Sequence, residues 1–250
     1  MNSNKLIKEL SIYDKADEAL VLEFAKKFKF SKNLIKYHDD VIFDMYDHNY
    51  FYLKKDVSID EIRKAIDYQL NNNRDFIKLY SNKKLKKIIV GELDLEENTY
   101  ISMLFKGNIN KLKTNDKVVI RDIKLKDLND IELKHYEKDY GRAFILKKNK
   151  AYLKKCKETD NLKYYGAYIN DKIVGACYAY TYKGITCFDD LIVDNRHRRR
   201  YIASTLIKHI IENSEHTMLH ADLDGQPYKM YLKMGFKVVA KNYEYFRKIK

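Results

Sequence analysis

Five consecutive residues, Arg196-His197-Arg198-Arg199-Arg200, form a basic run between an apolar stretch, Leu191-Ile192-Val193, and an apolar-periodic segment that begins at Ile202. A strand that feeds a basic loop, which feeds a helix, builds an anion site. The first amides of a helix have no intrahelical partner, and the helix dipole favours negative charge there. Arginines beside such a start add planar donor forks for phosphate oxygens. A pyrophosphate is the ligand that this arrangement suits. A basic run taken alone is equally a solvated surface. Two carboxylates, Asp189 and Asp190, precede the apolar stretch, and strand alternation sends them to opposite faces.

Few other chemistries are legible. The sequence has no phosphate-binding P-loop, no dinucleotide glycine fingerprint and no nucleophile elbow. The three cysteines, Cys156, Cys177 and Cys187, are an odd number without a C-x-x-C pair. They suggest a reducing compartment, with Cys177 and Cys187 in the core. His216 and His220 are four apart, but on a strand that spacing does not gather ligands. With no other Cys/His spacing typical of ligands, no metal is expected. His220 reads as a core or satisfied histidine. The polar run from Asp44 to Asn49 reads as a loop, or as the lining of an acceptor pocket.

The elements that must position these residues follow from periodicity. A helix is expected over Ala16 to Phe28 and a strand over Tyr50 to Leu53. Ser58 and Glu61 read as a capping box that opens a helix burying Ile59, Ile62, Ala65, Ile66 and Leu70. A strand over Phe76 to Tyr80, a short helix over Asn82 to Val90 closed by Gly91, and a strand over Thr99 to Phe105 complete the first half. Gly107 to Asp116 reads as a linker. Beyond it come a strand over Lys117 to Ile123 and two helices, about Leu125 to Lys138 and Gly141 to Lys157. Three strands follow: Tyr164 to Ile169, Lys172 to Tyr182 and Ile185 to Val193. They are joined by the two-residue turns Asn170-Asp171 and Lys183-Gly184. A helix with Ile202, Leu206, Ile207, Ile210 and Ile211 on one face leads to a strand over His216 to Ala221. A helix over Asp224 to Met234, stopped by Gly235, and a final strand over Val238 to Ile249 end the chain.

This order is a mixed sheet of α/β or α+β class. The expected domains are an N-terminal α/β domain over 1–112 and a second over 117–250. A weak internal repeat links them. Helix, strand, Gly-terminated helix and strand recur from Ile59 and from Ile202 at nearly equal spacing, which fits a duplicated fold whose first copy has lost its chemistry. Lys55-Asp56-Val57-Ser58, at the matching helix start, lacks the basic run, so no second anion site is expected.

Composition bounds the partners. Of 250 residues, 45% are hydrophobic, which rules out wholesale disorder. The net charge of +13 favours anions of some kind, nucleic acid and acidic lipid among them. Met1 to Leu10 has no apolar signal region and no stretch is long and apolar enough to span a bilayer. A cytoplasmic protein is expected, with neither nucleic acid nor membrane as its partner.

Residues Arg198-x-x-Tyr201-x-Ala203, after Leu191-x-Val193, resemble the signature Gln/Arg-x-x-Gly-x-Gly/Ala of the GNAT superfamily of acyl-CoA-dependent N-acyltransferases. Tyr231-Leu232-Lys233-Met234-Gly235-Phe236 resembles that family's Tyr-x-x-x-Gly-Phe segment. The resemblance covers about Lys117 to Lys250. It implies a GNAT fold in the C-terminal half, with a smaller GNAT-like domain before it. It also implies that acetyl-CoA is held by Arg198, Arg199, Arg200, Tyr201, Ile202, Ala203 and Ser204 at its pyrophosphate, and by backbone groups of Leu191, Ile192 and Val193 along its pantetheine arm. In the family the strand splays there, and a β-bulge would free those groups. Tyr231 is implied as the general acid toward the CoA thiolate. Asp190, beside the expected thioester, is the first choice for the base. Two positions depart from the pattern: Tyr201 replaces a glycine, and Asp224 stands where an asparagine is common.

The resulting expectation is transfer of an acetyl group from acetyl-CoA to a primary amine of a small molecule or peptide, by direct attack. The alternative is a GNAT-like acyl-CoA sensor or scaffold without catalysis. A nucleic-acid binder using Arg196 to Arg200 is a third reading. The acceptor and the oligomeric state are not encoded in any motif.

Overall fold

In a computed structural model of the chain, residues 14–54, 57–223 and 225–249 are described. Met1 to Leu10, the Lys55-Asp56 pair and Asp224 lie outside them. The chain folds as two compact units that interleave along the sequence. The first comprises residues 1–20, 103–220 and 229–237, and the second residues 21–102, 221–228 and 238–250.

Helix α1, over residues 14–22, opens the described chain. It stops short of the expected Phe28, because Lys26–Lys29 forms strand β1 antiparallel to β2 (Leu34–His38). In the second unit the strand order is β1, β2, β3 (Phe51–Leu53), β4 (Phe76–Ser81) and β11 (Phe236–Lys248, from Val238 onward). Strand β3 runs parallel to β4, and β11 runs antiparallel to it. Helix α2 (Ile59–Asn71) begins at the expected capping box: Ser58 accepts from Glu61 N, and Glu61 accepts from Ser58 N. It buries Ile62 and Ala65, but also Gln69, while Leu70 is exposed. Gln69 is tolerated inside because its amide donates to Phe76 O at 3.0 Å. Helix α3 (Lys87–Glu92) runs through Gly91, which therefore does not cap it, and Leu93 does.

The polar run 44–49 supports this unit. His48 and Asn49 are buried, His48 Nδ1 lies 2.9 Å from Asp39 Oδ2, and Asn49 Nδ2 donates to Ile42 O and Met45 O. Lys36 is fully buried, its ammonium 4.5 Å from the centre of the Phe51 ring and without a hydrogen-bond partner among the described residues. Burial, assisted by the charge of Arg74, lowers its pKa to about 6.

The first unit is built on β10 (His216–Asp222, through His220), β9 (Ile185–Val193), β8 (Lys172–Tyr182), β7 (Leu162–Ile169) and β6 (Val119–Asp122), in that order across the sheet. Strand β10 is parallel to β9 and the others pair antiparallel. Both hairpin turns behave as read, since Asn170, Asp171, Lys183 and Gly184 all have positive φ. Helices α4 (Leu125–Tyr140) and α5 (Arg142–Glu158), between β6 and β7, pack against each other, and α4 also packs on β8 and α5 on β7. Helix α6 (Ile202–Glu212) buries Ile202, Leu206, Ile207 and Ile210. Helix α7 (Gln226–Met234) ends at Gly235, whose φ is +99°. A Cβ on Gly235 would stand 2.7 Å from the Gly107 Cα. Residues 107–116 are held in this unit, with Asn115 N donating to Thr205 Oγ1 and Ser204 Oγ donating to Lys113 O.

Two stability predictions follow. Between pH ~6 and ~10 the unfolded chain carries a proton on Lys36 that the folded chain lacks, so this residue makes stability rise with pH by about 1.4 kcal/mol per unit. Below that window both states are charged and the burial penalty is complete. Lys36→Met is therefore expected to raise stability at pH 7 and to remove that slope, as read by urea unfolding across pH. Gly235→Ala meets both a left-handed backbone and a backbone clash, and is expected to cost about 1–3 kcal/mol in the same assay.

Candidate active site

The site is built on β9, inside the first unit. Ala176 pairs with Ile192 and Tyr178 with Asp189, so two residues of β9, Asp190 and Leu191, face the single Cys177 of β8. This is the bulge that the resemblance implied. Asp190 absorbs the turn with φ +54°, a left-handed conformation that an aspartate tolerates better than most side chains. Its amide donates to the Asp189 side chain at 2.7 Å.

The two carboxylates have different partners. Asp189 is exposed and accepts from the Tyr178 hydroxyl at 3.4 Å. Asp190 Oδ2 receives the Lys148 ammonium at 2.6 Å and lies 3.5 Å from the Tyr164 hydroxyl. Lys148 also reaches Glu132 at 3.0 Å, and Tyr164 donates to Glu132 at 2.7 Å. Burial alone would lower the Lys148 pKa, but the facing carboxylates of Asp190 and Glu132 override it and hold the ammonium above its ordinary value. One cation thus serves two acids, and burial drives the deeper one, Glu132, upward. Sequence reasoning missed Glu132 and Lys148. Their signal was a charged residue on the apolar face of each helix, Glu132 beside Leu128 and Ile131, and Lys148 between Ile145 and Tyr152.

Tyr231 is buried, with its ring 6.1 Å from that of Phe188 and 5.8 Å from that of Phe236. Burial, with the Asp189 charge beside it, holds the phenol well above its ordinary pKa. At neutral pH it is a protonated donor.

At the end of β9 the chain turns through a short 3₁₀ segment, Asn195–His197. Asp194 accepts from Arg196 N at 3.0 Å and Arg196 Nε at 3.3 Å, and lies 3.4 Å from His197 Nδ1. Burial would raise the Asp194 carboxyl, but those bonds outweigh it and bring it to about 2. Arg196 and His197 are therefore tied back. Arg198, Arg199 and Arg200 are exposed and make no ion pair among the described residues. Tyr201 precedes α6 with φ +59° and ψ +18°, and provides no side-chain cap. This left-handed geometry explains why a glycine is usual here. Tyr201 is 49% exposed, with Lys113 Nζ 5.9 Å from its ring centre. No acidic residue occupies the first turn of α6. Ile202 is buried in the core, and Ser204 Oγ bonds to the carbonyls of Lys113 and Tyr201, which leaves these two residues their backbone amides for a ligand.

Along β9 itself Ile192 is buried and paired with Ala176, and Val193 with Gly175. His135, which the sequence did not flag, lies with Nε2 3.1 Å from Val193 O and Nδ1 3.0 Å from Ile131 O. Asp224 lies outside the described residues.

Residues 160–238 match the family model described as an acetyltransferase (GNAT) domain. No curated protein matches the chain. Among solved structures, a functionally unknown conserved protein from Staphylococcus epidermidis is 16% identical at TM-score 0.77, covering 90% of this chain and 95% of that one. A GCN5-related N-acetyltransferase from Kribbella flavida is 11% identical at TM-score 0.60, covering 93% of each chain. A tandem GNAT protein from the clavulanic acid biosynthesis pathway is 7% identical at TM-score 0.58, covering 93% of this chain and 87% of that one. At such identities the structural likenesses carry the fold alone. Together with the family match they identify this chain as a GNAT-fold protein whose residues 160–238 match the acetyltransferase (GNAT) domain.

Proposed function

We propose that the protein transfers an acetyl group from acetyl-CoA to a primary amine by direct attack. The observation that carries this reading is the continuity of one short segment. The bulged stretch of β9 runs through the tied-back Asp194 turn into three free arginines and the uncapped start of α6. Open amides and guanidinium groups suit a pyrophosphate. Backbone groups of Leu191 to Val193 suit the amides of a pantetheine arm. CoA is a consumed substrate in this reading, and the donor set of Arg198 to Ser204 fits it chemically.

The reaction requires a neutral amine, an oriented thioester and a proton for the departing sulfur. The amine nitrogen bonds to the thioester carbon, the carbon–sulfur bond breaks, and the sulfur leaves as a thiolate. Tyr231 is the proposed donor to that thiolate, because it is protonated at neutral pH; burial and the Asp189 charge make it a weaker acid than an ordinary phenol, which the proton transfer has to overcome. Asp190 is the proposed acceptor of the amine proton, directly or through water. Its Oδ2 is engaged by Lys148, so Oδ1 is the oxygen for this task. Lys148 positions the carboxylate and does not itself meet the substrate. In this proposal residues 117–250 act as the transferase domain and residues 1–112 as a degenerate GNAT-like copy. A small-molecule or peptide amine is the acceptor class.

Calorimetric titration of the purified protein with acetyl-CoA tests the binding half. One saturable site is expected, weakened roughly tenfold to hundredfold when Arg198 and Arg200 are both changed to Ala. No saturation at millimolar ligand would refute it. Tyr231→Phe keeps the ring contacts with Phe188 and Phe236 and removes the proton. It is expected to lower kcat on the order of 10²-fold or more with acetyl-CoA affinity unchanged, and equal kcat would remove Tyr231 from the mechanism. Tight acetyl-CoA binding without turnover across an amine panel would favour the sensor.

A further inference from the structure

Three donor side chains from distant parts of the sequence meet in the first unit, and acyl transfer has no use for them. Asp17 comes from α1, Cys187 from β9 and His220 from β10. A carboxylate oxygen, a thiol sulfur and a ring nitrogen lie within 4.8 Å of one another. Asp17 Oδ2 is 2.5 Å from His220 Nε2. The fully buried Ala16 anchors α1 beside them, and Cys187 is itself buried.

An ordinary ion pair does not account for the composition of this cluster. The donor types narrow the choice. An organic ammonium would be met by oxygens and has no use for a thiol. Mg²⁺ and Ca²⁺ take oxygen ligands. Sulfur, imidazole nitrogen and carboxylate oxygen together suit Zn²⁺. Zinc bonds of about 2.0–2.3 Å place neighbouring tetrahedral ligand atoms roughly 3.3–3.6 Å apart. The observed separations need only about 1 Å of side-chain adjustment to reach that.

We propose that Asp17, Cys187 and His220 form a Zn²⁺ site, with a water as the fourth ligand. Cys187 binds as the thiolate and releases its proton to solvent, while His220 binds as the neutral imidazole. The ion fastens the N-terminal helix to β9 and β10. No short spacing announces the site, because the fold, and not a local motif, brings positions 17, 187 and 220 together. The proposal stands apart from acetyl transfer and does not rest on it.

The test uses the full chain, stripped with chelator and titrated with Co²⁺ under reducing conditions. One Co²⁺ per chain is expected, with a thiolate-to-cobalt charge-transfer absorption that Zn²⁺ abolishes on displacement, and Zn²⁺ is expected to raise the Tm of the stripped protein. Cys187→Ala and His220→Ala are expected to lose the absorption, and Asp17→Asn to weaken Zn²⁺ binding by at least about tenfold. Absence of the charge-transfer band in the wild-type protein overturns the proposal without recourse to any variant. A band that survives in Cys187→Ala also overturns it, since the thiolate would then be Cys156 or Cys177.

Discussion

The bulge at Asp190 is the constraint on which the proposed acyl-transfer site depends. A regular antiparallel strand uses all its amides and carbonyls on its neighbours and has none for a ligand. Setting Asp190 and Leu191 against Cys177 alone releases backbone groups at one place in β9. The left-handed backbone at Asp190 costs on the order of 1–3 kcal/mol if nothing else supports it. Its own neighbour supports it, through the amide bond to Asp189.

The Lys148 ammonium extends that support into the helices. By reaching both Asp190 and Glu132 it links the bulged strand to α4 and α5. A buried cation between two acids is a weak source of net stability, because desolvation opposes the attraction. Its value is geometric, fixing where the Asp190 carboxylate stands. The same logic separates the arginines of the basic run. Asp194 immobilises Arg196 and His197 in the turn, and the three that follow are left for solvent or ligand.

Much of this was legible in the sequence where local chemistry decides the outcome. The two turns at Asn170-Asp171 and Lys183-Gly184 fixed the hairpins, and with them β8 and β9 to the residue. The capping box at Ser58 placed α2. Local chemistry failed where distant partners decide. Lys26–Lys29 has no apolar alternation on its own and becomes a strand because β2 is there to pair with it. Leu70 was read as core by spacing, yet Gln69 lies inside, because its amide finds a carbonyl that periodicity cannot see. Gly91 looked like a helix stop, but α3 runs through it. Glu132 and Lys148 were hidden for the same reason, since each needs the other to be tolerated.

The internal repeat gains its meaning from the two helix starts. Strand β3 leads into α2 as β9 leads into α6, and helix, strand, helix and strand follow in both. At α2 the amides of Ser58 and Glu61 are satisfied from within by the capping box, and Glu61 is further held by Ser31 and Asn33. Burial would raise that carboxyl, but the bonds from Ser31, Asn33 and Ser58 prevail and lower it to about 2. A phosphate approaching there would meet a carboxylate. At α6 no side chain caps the helix and no acid occupies its first turn, while three arginines stand free beside it. The start of α2 is closed by its own side chains, and the start of α6 carries none. Under the proposed reading, that difference more than any loss of a catalytic residue distinguishes the two halves of the repeat.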